Sequence, residues 1–228
     1  MIYIGLDDTD VLGSRGTGRL ARAIAAGLSA EFTVRGVVRH QLLQDPRVPF
    51  TSHNSSATIM LEESGPTDLD ALFKEIKRMM LDDFIPGSDP GLCVVRDVPS
   101  AVAEHGWNAK KMLVTQNDAR GIARSHGIAL EGLGGTEDGI IGALASVGLT
   151  SCGDDGRYLH IGRVRELQGL LPVEEVLAAG VREIRTLTEE RVTSGLVMSD
   201  KIRPARKGGE PIAYVAWKDE YWMPLKLG

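Results

Sequence analysis

The chain has 228 residues, 43% of them hydrophobic and 25% charged, with a formal net charge of −5 at pH 7. That is enough for one large domain, or a domain with a small appendage, around an apolar core, and an aromatic share of 5% makes the core aliphatic. The acidic balance argues against a broad basic surface for duplex nucleic acid, while the 26 Lys and Arg leave room for a local basic patch. Cys93 and Cys152 form no CxxC pair and no zinc-type spacing, so both are expected as reduced thiols in a cytoplasmic protein. No apolar run approaches the roughly 18 residues of a membrane span, and MIYIGLDDTD lacks the basic start of a signal peptide.

In chain order, the apolar run Ile2 to Leu6 predicts a buried strand, and Asp7 to Gly18 a loop. Leu20, Ile24 and Leu28 share a helix face at a spacing of four. The β-branched stretch Phe32 to Arg39 and the alternating Ser56 to Glu62 predict strands on either side of the polar loop Gln44 to Asn54. Leu69, Leu72, Phe73, Ile76, Met79 and Met80 mark a helix over Asp68 to Leu81, with Thr67 and Asp70 at capping-box spacing. Leu92 to Val95 reads as a strand. Asn117 to His126 reads as a helix capped by Thr115, and Ile140 to Val147 as an apolar helix. Gly153 to Gly156 is a turn before a strand at Tyr158 to Ile161.

After about residue 165 the character changes. Val173 to Ile184 is partly helical. Thr186 to Met198, Ile212 to Trp217 and Trp222 to Leu227 are β-like, and Lys207-Gly208-Gly209 is a hairpin turn. The expected fold class is α/β, a mixed sheet with helices: a main unit over residues 1–165 and a small β-rich unit over 166–228.

Five features carry chemistry. Asp7, Asp8, Thr9 and Asp10 follow the first strand directly. Carboxylates this close repel one another, and a hard cation such as Mg²⁺ relieves the repulsion. Loops leaving strands at one edge of an open α/β sheet also tend to bind ligands. The alternative is a solvated turn. Gly16-Thr17-Gly18 opens a helix, where amides and the helix N-terminus favour phosphate and Thr17 offers a hydroxyl; alone it is also an ordinary cap. Gly132 to Gly139, including Gly134, Gly135 and Thr136, feeds a second helix in which Gly142 and Ala143 allow close packing. It lacks the Gly-Lys-Ser/Thr ending of a P-loop. Thr51, Ser52, His53 and Asn54 offer a polar lining for a substrate, or a surface loop. Lys201 to Lys207, with Arg203 and Arg206, is a solvated hairpin or a contact for phosphates or RNA. His40, His105, His126 and His160 read as bystanders.

Taken together, Gly5 to Asp10, Thr17, Pro49 to Ala57, Asp89-Pro90-Gly91 and Gly139 to Ala145 with Gly148 resemble, in the same order, the motifs of the archaeal tRNA(Ile2) agmatinylcytidine synthetase family. The resemblance covers roughly residues 1–165. It implies a kinase-like domain that binds ATP and Mg²⁺, phosphorylates a cytidine carbonyl oxygen and lets agmatine displace the phosphate. It also implies self-phosphorylation of a threonine in the loop after the DDTD segment. By position, Asp7, Asp8 and Asp10 would hold Mg²⁺ and the ATP phosphates, and Thr17 would take that threonine's place. The loop before Ile140 would line the nucleotide. The family's Lys and Arg of its proline-polar loop fall on Thr51 and His53, and its OB-fold and zinc-ribbon modules have no counterpart in these residues. The expected partners are therefore a nucleotide and a small-molecule substrate, with no membrane; RNA stays open as a partner, without support from the net charge.

The expected activity is an ATP- and Mg²⁺-dependent phosphotransferase or ligase-like reaction. Three alternatives stand beside it. One is a non-catalytic nucleotide- or metabolite-binding module. Another is a haloacid-dehalogenase-type phosphatase built on Asp8, Asp10, Asp154 and Asp155. The last is an RNA-modifying enzyme working with a separate RNA-binding subunit.

Overall fold

A computed structural model describes residues 1–48 and 53–227. Strand β1 (Ile2–Asp7) lies between β3 (Ser55–Glu62) and β4 (Gly91–Val95), antiparallel to both. Strand β2 (Thr33–Gln41) pairs antiparallel with β3, and β5 (Ala129–Gly132) extends the other edge beside β4. Buried Ile2, Ile4 and Leu6 alternate with Tyr3, Gly5 and Asp7 along β1, so the strand sends its two sets of side chains to opposite faces of the sheet.

One face carries α1 (Thr17–Leu28) and α2 (Leu69–Asp82), which bury Leu20, Ile24 and Leu28, and Leu72, Ile76 and Met80, in the largest apolar cluster. The cap of α2 differs from the expected box. Asp68, not Thr67, is the N-cap and accepts from the amides of Asp70 and Ala71. The other face carries α5 (Gly139–Cys152), with α3 (Ser100–Lys111) and α4 (Gln116–His126) packed on it. Helix α4 has the expected capping box between Thr115 and Asp118. Helix α5 is buried nearly all round, as its unbroken apolar run requires.

Two elements have no counterpart in the sequence reading. Helix α3 lacks a stripe of large apolar residues because it meets α5 through small ones. A Cβ added at Gly106 would crowd the Ala145 carbonyl, and one at Gly148 would run into the Val102 carbonyl. Strand β5 is only four residues long and owes its existence to its ladder with β4.

Beyond β6 (Arg157–His160), which pairs with β2, the sheet continues through β10 (Ala205–Lys207) and β11 (Glu210–Lys218) to β12 (Tyr221–Pro224), β9 (Leu196–Met198) and β7 (Leu170–Pro172). Strand β8 (Glu183–Arg185) pairs parallel with β11. Between β10 and β11, Gly208 and Gly209 both have positive φ, the two-residue hairpin that their sequence predicts. The expected β-structure over Thr186 to Met198 shrinks to β9, since the segment from Thr186 to Gly195 is turns, bends and an isolated bridge at Arg191. Helix α6 (Val173–Ala178), with Ile184, Val197, Ala213 and Val215, closes a second apolar cluster separate from the first.

Candidate functional site

Asp7 ends β1, where the buried strand delivers it to the N-terminus of α5. A Cβ at Gly142 would run into the Asp7 carboxylate, and one at Gly5 into the Ala143 carbonyl. Strand and helix therefore touch backbone to backbone, and the carboxylate fills the space left by the missing side chain. Burial pushes the Asp7 carboxyl up to about 8, with the charge of Asp8 adding to it. Asp8 is held at φ 49°, a left-handed conformation uncommon for a residue with a side chain. Its carboxyl is raised to about 6, by burial first and then by the charges of Asp89, Asp10 and Asp138.

The rest of the acid loop is tied down by Thr17. Its hydroxyl accepts from the Thr9 amide at 3.4 Å and the Thr9 hydroxyl at 3.1 Å, and donates to Asp10 Oδ1 at 3.1 Å. Thr9 and Thr17 are both buried. Thr17 is the first residue of α1, and Gly16 is its N-cap without a side-chain cap bond.

The second glycine loop closes on the Asp89-Pro90-Gly91 turn. The Thr136 amide and hydroxyl donate to the two Asp89 carboxylate oxygens at 2.6 and 2.9 Å. The Gly139 amide donates to the Asp89 carbonyl at 3.1 Å, and the Asp89 amide donates to the Asp8 carbonyl at 3.1 Å. Gly135 has φ 58°, and a Cβ there would collide with the Asp89 carboxylate. Three motifs far apart in sequence thus form one knot around the end of β1.

Beside the knot lies a cavity of about 340 Å³. Asp7, Asp8, Asp10 and Asp138 form one wall, and Leu42, Val48, Met112, Leu113, Val114 and Ile141 form another. Met112 and Leu113 are 55% and 43% exposed, so the apolar wall is open to an incoming ring. Gly139, His53 and Asn54 also line the cavity; Gly134, Gly135 and Thr136 do not. Thr51 and Ser52 lie outside the described residues. Among the described residues no three of His, Cys, Asp and Glu are gathered into a ready-made metal cage. Mg²⁺ commonly takes only one or two carboxylates and completes its shell with water and phosphate oxygens, so the donor set fits a cation that arrives with its nucleotide.

Two expectations change. The ligand-edge argument presumed parallel strands, but both neighbours of β1 run antiparallel; the site is built instead by the close approach of β1 and α5. The phosphatase alternative needs that parallel sheet as well, and its late acid is engaged elsewhere. Asp155 Oδ1 is 2.8 Å from His40 Nδ1 and Asp155 Oδ2 is 2.7 Å from Lys110 Nζ.

That pairing makes His40 more than a bystander. It is fully buried on β2, and its Nε2 lies 2.7 Å from the Thr150 hydroxyl. A carboxylate only accepts, so Nδ1 carries the proton and Nε2 takes one from Thr150. Arg206, buried on β10, donates to the Thr150 carbonyl, the Tyr158 hydroxyl and the Gly209 carbonyl. The basic run at Lys201 to Lys207 therefore splits, with Arg206 turned into the structure.

The architecture defines a mixed α/β protein whose first strand presents carboxylates to a cavity at the N-terminus of a buried helix. Solved structures share that fold. Apo TiaS, a tRNA(Ile2) agmatidine synthetase, superposes with a TM-score of 0.55 at 21% identity, over 64% of this chain and 35% of that chain. The TiaS–tRNA(Ile2)–ATP complex gives 0.56 at 22% identity, over 64% and 36%. The TiaS–tRNA(Ile2)–AMPCPP–agmatine complex gives 0.54 at 20% identity, over 64% and 35%. The matched part is about a third of those chains. No protein-family model matches the chain, and no curated protein does either. The chain thus has a TiaS-like fold over the larger part of its length.

Proposed function

We propose that the protein is an ATP- and Mg²⁺-dependent phosphotransferase or ligase-like enzyme that activates a small acceptor, with chemistry related to tRNA cytidine agmatinylation. Residues 1–165 would form the nucleotide-binding unit and 166–228 the β-rich appendage. The observation that carries this reading is the gathering of Asp7, Asp8, Asp10 and Asp138 at a cavity whose other lining mixes apolar side chains with Arg47, His53, Asn54, Ser55, Thr115 and Gln116. Such crowding destabilises the free protein and is relieved by a bound cation.

On this reading Asp7, Asp8 and Asp10 hold the metal, and the apolar wall of Leu42, Met112 and Val114 takes the base. The Gly139 end of α5 faces the cavity and favours the negative charge of the phosphates. When bound, Mg²⁺ neutralises phosphate charge and fixes the geometry of the phosphoryl group. Thr17 positions the acid loop through its three hydrogen bonds, and Gly134, Gly135 and Thr136 act by holding Asp89 in place. His53 and Asn54 line the acceptor's approach. The TiaS complexes with ATP and AMPCPP support the choice of nucleotide.

The test is incubation of the protein with γ-labelled ATP, with and without Mg²⁺. Release of phosphate, or label on Thr17, that depends on Mg²⁺ supports the enzyme. Indifference to millimolar Mg²⁺·ATP by titration calorimetry sinks it. A second reading, a non-catalytic nucleotide-binding module, is favoured by one feature. Among the described residues lining the acid cavity the only Lys or Arg is Arg47, which is already paired with Asp45. Tight Mg²⁺·ATP binding without turnover would select that reading.

A further inference from the structure

Many arginines of this chain are matched to carboxylates, among them Arg15 with Asp83, Arg96 with Glu63, Arg120 with Glu137 and Arg185 with Glu183. Arg22, Arg39, Arg157 and Arg203 have no carboxylate partner among the described residues, yet the fold brings them together. Arg39 and Arg157 stand directly opposite each other in the β2–β6 ladder, a pairing that like charges oppose. Helix α1 lies over β6 so closely that a Cβ at Gly18 would strike Leu159, and Arg22 stands one turn further along the same helix. Arg203 precedes β10, whose Ala205 pairs with Arg157.

No ion pair among the described residues offsets this charge. Arg39 donates only to the neutral Ser55 and Gln41 side chains, and Arg203 to the Ile202 carbonyl. The Arg157 Nε is buried with no hydrogen-bond partner, a costly state for a charged donor. Burial, and after it the charges of Arg165, Arg22 and Arg157, holds the Arg203 guanidinium below its usual range. Arg22 is held down by burial and then by Arg165 and Arg19.

Arg19, Arg22 and Arg39 line a second cavity of about 300 Å³ together with Gly16, Thr17 and Gly18, while Arg157 and Arg203 are outside its lining. There α1 begins with neither a side-chain cap nor an acidic residue in its first turn, which leaves its amides to an anion as well. Asp10, His53 and Ser55 line both this cavity and the acid one.

We propose that this arginine cluster is a second ligand site, taking the phosphate monoester of a small molecule. Guanidinium groups bind such an oxyanion through paired hydrogen bonds. The size of the cavity and the acidic net charge favour a small ester over a polynucleotide, which needs a long basic track. In identifying the ester as the acceptor the inference rests on the nucleotide reading above; the anion site itself does not. The two cavities then hold donor and acceptor on either side of Asp10.

Calorimetric titration of the full chain with inorganic phosphate, ribose 5-phosphate and ribose, in low salt with EDTA, tests the site apart from any metal or nucleotide. Both phosphates are expected to bind and ribose is not. Arg22→Gln and Arg39→Gln are each expected to weaken phosphate binding at least about tenfold, the worth of one charged hydrogen bond. Their thermal midpoints should hold or rise, because a repulsion has been removed; a merely structural arginine would lower them. Arg78→Gln, a surface residue paired with Asp82, should change neither quantity. Unchanged phosphate affinity in both cluster variants overturns the proposal. So does binding of a single-stranded RNA oligonucleotide by a protein that ignores ribose 5-phosphate. If phosphate binds through the arginines while Mg²⁺·ATP does not bind, the anion site stands and the enzyme reading falls.

Discussion

Helix α5 handles charge in opposite ways at its two ends. At the Cys152 end, Asp155 pairs with both His40 and Lys110, Thr150 bonds His40, and the buried Arg206 donates to three neutral oxygens of Thr150, Tyr158 and Gly209. At the Gly139 end, Asp7, Asp8, Asp10 and Asp138 line a cavity; burial first, then the charge of Asp8, raises the Asp7 carboxyl, and burial first, then Asp89, Asp10 and Asp138, raises that of Asp8. Both ends lie in the same fold and much the same apolar surroundings. A network that closes on itself adds to stability and needs no ligand. A cluster of one sign lowers the stability of the free protein and is settled by whatever brings the opposite charge. The arginines across Asp10 repeat the second pattern with the sign reversed.

The largest perturbation should come from opening the closed network. Asp155→Ala leaves His40 buried without its acceptor and Lys110 without its counter-ion, and is expected to cost about 3–5 kcal/mol of unfolding free energy in denaturant titration. A loss below about 1 kcal/mol would put the pair in the class of surface ion pairs and erase the contrast. Next in size is Gly142→Ala, which drives a methyl group into the Asp7 carboxylate and parts α5 from β1. A cost of about 1–3 kcal/mol is expected, with weaker Mg²⁺·ATP binding. Wild-type stability in that variant would show that the strand and helix are not in contact.

Asp8→Asn sharpens the contrast, since it should move two quantities in opposite directions. The thermal midpoint rises as repulsion and strain at the loop ease, while Mg²⁺·ATP affinity falls by at least about tenfold. A fall in both would make Asp8 a structural residue.

Acid is the gentlest perturbation. Burial holds the His40 pKa below its ordinary value of 6.5, so the unfolded chain takes up a proton there first. Burial works to raise the Asp155 carboxyl, but the hydrogen bonds from His40 and Lys110 outweigh it and hold it below its ordinary 3.8. Stability from His40 is full above 6.5 and drains as pH falls below that value. Stability from Asp155 is present above 3.8 and lost below it. Asp7 and Asp8, with carboxyls raised to about 8 and about 6, gain stability over the same fall in pH, so His40 is read as a difference: the advantage of the wild type over His40→Gln in unfolding free energy should shrink from about pH 7 to about pH 4. An advantage that stays constant would remove His40 from the acid response.

Much of the larger unit was legible residue by residue. The strand at Ile2, the helices over Leu20 to Leu28 and Leu69 to Met80, and the cap at Thr115 follow from local pattern, because large side chains at helical or strand spacing leave little choice. The acid loop and the glycine loop were legible as unusual groupings of residues, with a ligand role and a structural role both open for each. What sequence could not supply was which glycines hold ligand and which hold protein. Gly134 and Gly135 belong to the clasp on Asp89, and no spacing rule distinguishes that from a phosphate cradle.

By itself the sequence determined the aliphatic core, the order of most elements, and the carboxylates at the end of the first strand, all features set by neighbours within a few residues. Only the tertiary structure made His40 the centre of a buried network, formed helix α3 from glycine contacts, and drew Arg22, Arg39, Arg157 and Arg203 together, the first two on the lining of one cavity. Those features depend on which distant strands lie side by side. Strand pairing is a long-range choice, fixed by the packing of whole faces, and the local pattern of a segment carries little trace of its eventual neighbour.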